Sequence, residues 1–358
     1  MRVAFRVDAS RAIGIGHLMR CLTLADSLKS DGARTRFVAR HLPPSLHSLL
    51  HSKGHELALL DGLAAEPLDD VPHARFLGTS QRQDASNTRA ALADGAWDWV
   101  VVDHYGIDAR WESALRGSVR HVMAIDDVAD RAHDCDVLLD QNLYSDMASR
   151  YEGKAPQRCS MLLGPSHALV REEFREWRAR IRPRTGPVRR LLVFFGGIDP
   201  CNFTGKALRA LERIGGTDLI VDVVIGAEHA DRAEIEAACE TRGYRCYIQT
   251  SRMAELMAAA DLALGAGGSA SWERCCVGLA VVSVAFADNQ FDIADALDAV
   301  GASMFVGDES TATQERIETA VASLLADNER LSRMSAKAYS LVDGRGCERV
   351  RAVMSDWR

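Results

Sequence analysis

The sequence predicts an α/β fold built from two tandem, doubly wound, Rossmann-like domains, and three observations predict it. Short Val/Ile/Leu-rich runs alternate with helix-length segments along most of the chain. The alternation stops once, in a stretch rich in Arg and Pro, and then begins again. From Thr313 to Arg358 the pattern is helical, with little strand character.

In the first half the runs are VAFRV (3–7), TRFVA (35–39), ELALL (56–60), WVVVD (99–103), HVMAID (121–126) and DVLLD (136–140). Helical segments such as His17–Ser30 and Asp84–Ala93 lie between them. Near-continuous apolar strands separated by helices imply a parallel sheet covered on both faces. The stretch REEFREWRARIRPRTGP (171–187) starts as a charged helix and ends in Pro, Arg and Gly, the composition of a linker. The second series is RLLVFF (190–195), LIVDVVIG (219–226), LALG (262–265) and AVVSVAF (280–286). Helices are expected near Thr204–Ile214, Asp231–Arg242, Ser269–Gly278 and Phe291–Val300. These patterns divide the chain into a first domain over 1–170, a linker over 171–187, a second domain over 188–312 and C-terminal helices over 313–358. Ligands of doubly wound domains lie beyond the carboxyl ends of the strands, so a cleft between two such domains is the expected site.

Composition narrows the class of partner. At 358 residues, 47% hydrophobic and 26% charged, the chain has the make-up of a globular protein with room for two cores. A formal charge of −7 without a basic block argues against nucleic acid as a partner. The N-terminal MRVAFRVDAS reads as a strand and not as a secretory leader, and no apolar run reaches the length of a membrane span. Nine scattered cysteines form no metal or redox spacing, so reduced thiols and a cytoplasmic location are expected. The only short acidic pairs are Asp126-Asp127 and the Asp134/Asp136 alternation, which reads as a solvated turn; no metal or other cofactor is expected.

The chemistry is carried by loops at strand ends. After the first strand comes AIGIGHLMRC (12–21), in which Gly14 and Gly16 let backbone N–H groups approach an anion at a helix start. The third glycine of a dinucleotide fingerprint is replaced by Met19, and the second strand runs into Arg40-His41 where a ribose-binding acid would stand. His17 is either a histidine that bonds its helix-start neighbours or a general base held at a strand end. VVVDHYG (100–106) ends another strand in Asp103, His104 and Tyr105; Tyr105 reads either as a half-buried aromatic or as a ligand contact.

The second half holds two further glycine loops. FFGGIDP (194–200) sets Gly196, Gly197 and Asp199 after a strand, and LGAGGSASWE (264–273) sets Gly267, Gly268 and Ser269 after another. Either loop alone is also an ordinary strand-to-helix turn, but two at strand ends in one domain favour a nucleotide. Glu273, one or two turns into the following helix, could accept from the two ribose hydroxyls. Asn289 and Gln290 in FADNQFD (286–292) are amides suited to sugar hydroxyls or acetamido groups, and equally to helix capping.

Taken together, FRVDASRAIGIGHLMRC, VVDHYGID, HALVREEF, FFGGIDP and GAGGSASWE…ADNQ resemble one family, the UDP-sugar hydrolases of pseudaminic acid biosynthesis (PseG type). The resemblance runs in order over about residues 1–300 and does not reach the tail beyond about residue 310. It implies a glycosyltransferase-B fold and hydrolysis of UDP-2,4-diacetamido-2,4,6-trideoxy-β-L-altropyranose to UDP and free sugar, in a pathway that feeds flagellin glycosylation. It implies that His17 acts on the attacking water, that Tyr105 and Asn289 fall on family site positions, and that Glu273 holds the uridine ribose. Gly196, Gly197 and Asp199 match its glycine turn, here with Ile198 between; Asp8 and Arg20 match without an assigned contact. The expected partners are the UDP-sugar and weakly held neighbouring enzymes of the pathway, with neither nucleic acid nor membrane. A glycosyltransferase or an epimerase of the same fold remains the alternative, because fold does not fix reaction.

Overall fold

The computed structural model describes residues 1–10, 13–60, 68–147, 149–215 and 218–357, the side chains of Asp288 and Asn289 excepted. The chain forms two compact units. The first comprises Met1–Asn142, Asp146–Leu169 and Gly346–Arg358; the second comprises Leu143–Ser145 and Val170–Arg345.

The first unit is built on seven strands: β1 (Arg2–Val7), β2 (Arg34–Ala39), β3 (Glu56–Leu59), β4 (Trp97–Asp103), β5 (Val119–Ile125), β6 (Val137–Asp140) and β7 (Ser160–Leu163). They lie in the order β3-β2-β1-β4-β5-β6-β7, and every pairing is parallel. Helices α1 (Gly16–Ser30), α2 (Pro44–Ser52), α3 (Ala74–Leu77), α4 (Gln81–Ala91) and α5 (Ala109–Leu115) connect them. Side-chain alternation along the strands feeds both faces. Val3, Phe5, Val7 and Val101 pack with Leu18, Leu22, Ala25 and Leu28 of α1 on one side. Ala4, Val100 and Val102 pack with Ala85 of α4 and Trp111 and Leu115 of α5 on the other. Burial on two faces is what made these strands visible as apolar runs.

The second unit carries β8 (Arg190–Phe194), β9 (Ile220–Ile225), β10 (Arg245–Ile248), β11 (Leu262–Ala266), β12 (Ala280–Ala285) and β13 (Met304–Asp308), ordered β10-β9-β8-β11-β12-β13 and parallel throughout. Its helices are α6 (Glu172–Arg180), α7 (Phe203–Ile214), α8 (Arg232–Arg242), α9 (Met253–Ala259), α10 (Ala270–Cys276), α11 (Asp288–Ala299), α12 (Gln314–Ala326) and α13 (Asn328–Leu341). Leu191, Val193, Val223, Ile225 and Leu264 meet Phe203, Ala207 and Leu211 of α7 and Ile317, Val321 and Leu324 of α12 in its core.

The helical stretch 313–358 divides between the units. Helices α12 and α13 belong to the second, whereas α14 (Gly346–Asp356) belongs to the first. Cys347, Val350 and Met354 of α14 join the core that also holds α1, and Arg351 reaches Asp31 at 2.7 Å. The stretch expected as a linker begins with α6, whose Phe174 is fully buried in the second unit.

Candidate functional site

In both sheets the strand order reverses once, between β1 and β4 and between β8 and β11. At such a point the loops leaving the two strands run to opposite faces and open a crevice at the carboxyl ends. The loop after β1 carries Gly14, α1 opens with Gly16 and His17, and β4 ends in Asp103, followed by His104 and Tyr105. The loop after β8 carries Gly196 and Gly197, and β11 leads to Gly267, Gly268 and Ser269. Four of the loops singled out from the sequence therefore flank the two switch points, whereas FADNQFD (286–292) follows β12, one strand further out.

In the first unit the register sets Val7 of β1 beside Asp103 of β4, which brings the start of α1 onto the Asp103 carboxylate. His17 Nδ1 lies 2.6 Å from Asp103 Oδ1. Arg20, one turn further along α1, donates from Nε to Oδ2 at 2.6 Å and from a terminal nitrogen to Oδ1 at 2.7 Å. Burial opposes the charged form of Asp103, but the Arg20 guanidinium and the His17 ring outweigh it and hold the carboxyl well below the usual carboxylate range. An ionised carboxylate only accepts, so Nδ1 of His17 carries a proton, and in the neutral ring the lone pair lies on Nε2. The 3.0 Å approach of Arg20 to Nδ1 then reflects two donors converging on one oxygen. This is the arrangement in which an aspartate fixes the tautomer and aim of a histidine base.

The ring of contacts closes through Asp127, just beyond β5. Arg20 donates to Asp127 Oδ2 at 2.7 Å, and the Tyr105 hydroxyl donates to Oδ1 at 2.7 Å. The Tyr105 ring stands edge-on to His17, with centroids 4.6 Å apart. His17, Asp103, Arg20 and Asp127 are each at most 8% exposed, so these charge-assisted bonds are made largely out of water, where they orient best. No side chain among the described residues caps the start of α1, and its first turn has no acidic residue. Its leading N–H groups are thus open to an anion beside His17.

Two further groups brace this crevice. Asp8, buried directly after β1, accepts from the backbone N–H groups of Arg40 at 2.7 Å and His41 at 3.1 Å, and pairs with Arg6 at 2.8 Å. Its role is to hold the loop after β2. Asp140, at the end of β6, is buried near Asp126 and Asp127, and its carboxyl is pushed up to about 7 by burial and by the Asp127 charge. The Tyr151 hydroxyl lies 2.9 Å from Asp140 and 3.1 Å from Asp126, one proton between two carboxyls. A proton on Asp140 resolves that conflict. Among the described residues no group of three or more His, Cys, Asp or Glu side chains is placed to hold a metal ion; Asp134 and Asp136 both pair with Arg116.

The second unit uses its loops differently from one another. Asp199 has a left-handed backbone (φ 41°) and turns its carboxylate inward, accepting from Phe203 N at 2.9 Å and from Thr204 N and Oγ1 at 2.7 Å each. Asn202 takes the N–H of Gly205 at 2.8 Å. The first turn of α7 is thereby capped from within, so Asp199 shapes the loop, in which Gly196 and Gly197 are half-buried. A Cβ on Gly196 would meet nothing within 4 Å. Gly267 donates its N–H to Val284 at 2.8 Å, and a Cβ there would lie 2.7 Å from the Gln290 carbonyl, so its glycine permits close packing against α11. Gly268 lies beside the Gln290 side chain, whose Oε1 accepts from Phe286 N at 3.1 Å. Ser269 precedes α10, and Asn289 lies in α11 with its side chain outside the described residues.

Glu273 stands in the first turn of α10 and accepts from Arg171 Nε at 2.7 Å. Arg274, beside it, is buried with no ion pair among the described residues: it donates to the Ala266 carbonyl at 2.5 Å and to Ser271 Oγ at 2.9 Å, and burial brings it down to about 10. The sequence reading missed Asp103, Asp127 and Arg171 as parts of the site. Their partners are 86, 107 and 102 positions away, so only the strand register reveals the pairs.

The two parallel-sheet units with their loops at the switch points define the class: this is the glycosyltransferase-B fold. MurG of Acinetobacter baumannii superimposes with a TM-score of 0.66 over 99% of each chain, at 14% identity. Within that class, residues 192–346 match the glycosyltransferase family 28 C-terminal domain. The chain is 31% identical over 176 residues to the UDP-2,4-diacetamido-2,4,6-trideoxy-β-L-altropyranose hydrolase of Campylobacter jejuni, a match covering 49% of this chain and 53% of that protein. It is 25% identical over 216 residues to the spore coat polysaccharide biosynthesis protein SpsG of Bacillus subtilis, covering 60% and 63%. The chain thus matches somewhat over half the length of these relatives. Among the described residues, no helix is long and apolar enough to cross a membrane.

Proposed function

We propose that the protein is a metal-independent hydrolase that splits a UDP-linked 2,4-diacetamido-2,4,6-trideoxy sugar into UDP and free sugar, as a cytoplasmic step of pseudaminic acid biosynthesis. The observation that carries the reading is the His17–Asp103 pair at the β1/β4 switch point, with Nδ1 held at 2.6 Å and Nε2 left to act as base. In the proposed reaction a water oxygen bonds to the anomeric carbon while Nε2 of His17 takes its proton. The bond from that carbon to the phosphate oxygen breaks, and UDP leaves with the electron pair. The first turn of α1, which Gly16 opens and Gly14 precedes, meets the negative charge that develops on the leaving diphosphate. In the second unit, Gly196, Gly197, Gly268 and Ser269 hold the diphosphate by backbone and hydroxyl donors, and Glu273 holds the ribose. Recognition of the sugar is assigned to Tyr105, Asn289 and Gln290.

The match to the Campylobacter jejuni hydrolase supports this reading over its alternatives. The family 28 domain match favours one second reading, a transferase that hands the sugar to an acceptor other than water. Incubation with a panel of UDP-sugars and no acceptor separates the two. Release of UDP and free sugar, followed by NMR and abolished in His17→Ala, is the expected result; turnover only after an acceptor is added selects the transferase. In oxygen-18 water the label is expected in the sugar, and label in UDP would refute attack at carbon.

A further inference from the structure

The HALVREEF segment (167–174) has no role in the reaction above, yet its arginine touches the residue assigned to the ribose. We infer that Arg171 is a positioning residue that fixes Glu273 for a ribose diol and so makes the nucleotide site selective for ribonucleotides over their deoxy analogues. The inference rests on the assignment of Glu273 to the ribose.

Glu273 projects from the first turn of α10 on a side chain with three free torsions, and a carboxylate that swings cannot meet two neighbouring hydroxyls at once. Arg171 removes that freedom. Its Nε donates to Glu273 Oε1 at 2.7 Å, which leaves Oε2 and the second lone pair of Oε1 for two hydroxyl protons. The guanidinium is itself held by two neighbours, and the residue is anchored through its backbone. It pairs with Glu173 at 2.7 Å, its carbon lies 4.9 Å from the centroid of the fully buried Phe174 ring, and its backbone forms the N-cap of α6 with φ −60° and ψ 143°. A planar fork fixed in this way sets the carboxylate plane at little further entropic cost, which a lysine on a flexible stem would not do. Both partners lie in the second unit, so the pair exists within one folded body. A site whose acceptor is preset for hydroxyls leaves that acceptor unpaired when the hydroxyls are missing, and this is the physical origin of strong discrimination.

The test is a double-mutant cycle in the full chain, with binding of UDP and of 2′,3′-dideoxy-UDP measured by calorimetry. Arg171→Met and Glu273→Gln are each expected to weaken UDP about tenfold, and the double variant no further than the stronger single one. Dideoxy-UDP is expected to bind all four proteins alike. Arg171→Lys, which keeps the charge and the fold, is expected to recover less than half of the loss. If Glu273→Gln weakens UDP while Arg171→Met does not, or if Arg171→Met still weakens UDP in the Glu273→Gln background, Arg171 does not act through Glu273. If Glu273→Gln leaves UDP affinity unchanged, the ribose assignment fails, and this inference falls with it.

Discussion

Replacing Asp103 by Asn probes the site at the atom on which most of it converges. Asp103 accepts three charge-assisted bonds, from His17 at 2.6 Å and from Arg20 at 2.6 and 2.7 Å, and is 1% exposed. Asparagine keeps the shape but removes the charge that holds the proton on Nδ1, so His17 is free to adopt the tautomer whose Nε2 carries a proton and cannot act as base. Mispairing of a histidine base of this kind costs roughly a thousandfold to ten-thousandfold in kcat, equivalent to about 4–5.5 kcal/mol. Stability falls as well, because Arg20 keeps only Asp127 as a buried counter-ion; breaking one side of such a cluster costs about 3 kcal/mol. The two effects separate if turnover is measured at a temperature where urea titration shows the variant folded. Under those conditions kcat for UDP release is expected to drop at least a thousandfold with KM within a few-fold of wild type. The double variant with His17→Gln is expected to be no slower than His17→Gln alone, because the two residues act as one base. A folded Asp103→Asn protein turning over within threefold of wild type would refute the assignment of Asp103 as the group that fixes the base.

Two other perturbations test the supporting structure. A Cβ on Gly226 would sit 2.2 Å from the Gly197 carbonyl oxygen, so Gly226→Ala must displace the Gly196–Gly197 loop; a loss of about 1–3 kcal/mol in urea unfolding and weaker UDP binding are expected, and unchanged UDP affinity would argue that this loop does not touch the nucleotide. Asp140 titrates near 7 in the folded protein against an ordinary value near 4, so its stabilising contribution is complete below about pH 4 and is lost as pH rises through 7. The stability of wild type relative to Asp140→Asn is therefore expected to fall between pH 4 and pH 8 by at most about 4 kcal/mol, read from paired urea titrations; a difference independent of pH would show that Asp140 is ionised throughout.

What the sequence disclosed follows from burial. Strands β1, β4, β8, β11 and β12 sit inside their sheets with helices on both faces, and each is a visible apolar run. Strands β7, β10 and β13 escaped the reading; all three are mostly half-buried sheet edges whose apolar runs are only three residues long, shorter than the ELALL run that disclosed the fourth edge, β3. The loops obeyed the same logic. The strand-end placement of Gly14, Gly196 and Gly268 was legible because small residues after an apolar run are a local signature. That Asp199 caps α7 and that Asp8 braces the loop after β2 was not, since a carboxylate before a helix reads the same whether it points at a ligand or back at its own backbone.

The two switch points are built from the same sheet geometry but are closed differently, and this difference divides the chemistry. At β8/β11 the first helix is capped by Asp199 and Asn202, and a backbone neutralised in this way attracts an anion only through its exposed glycines. At β1/β4 the first turn of α1 has no side-chain cap among the described residues, and the charged groups beneath it are locked to one another through Arg20. An uncapped helix start beside a histidine with a fixed tautomer offers positive potential and a proton acceptor in one place. A diphosphate leaving group requires the first and an attacking water requires the second, and these are the two roles that the proposed reaction gives to the start of α1 and to His17.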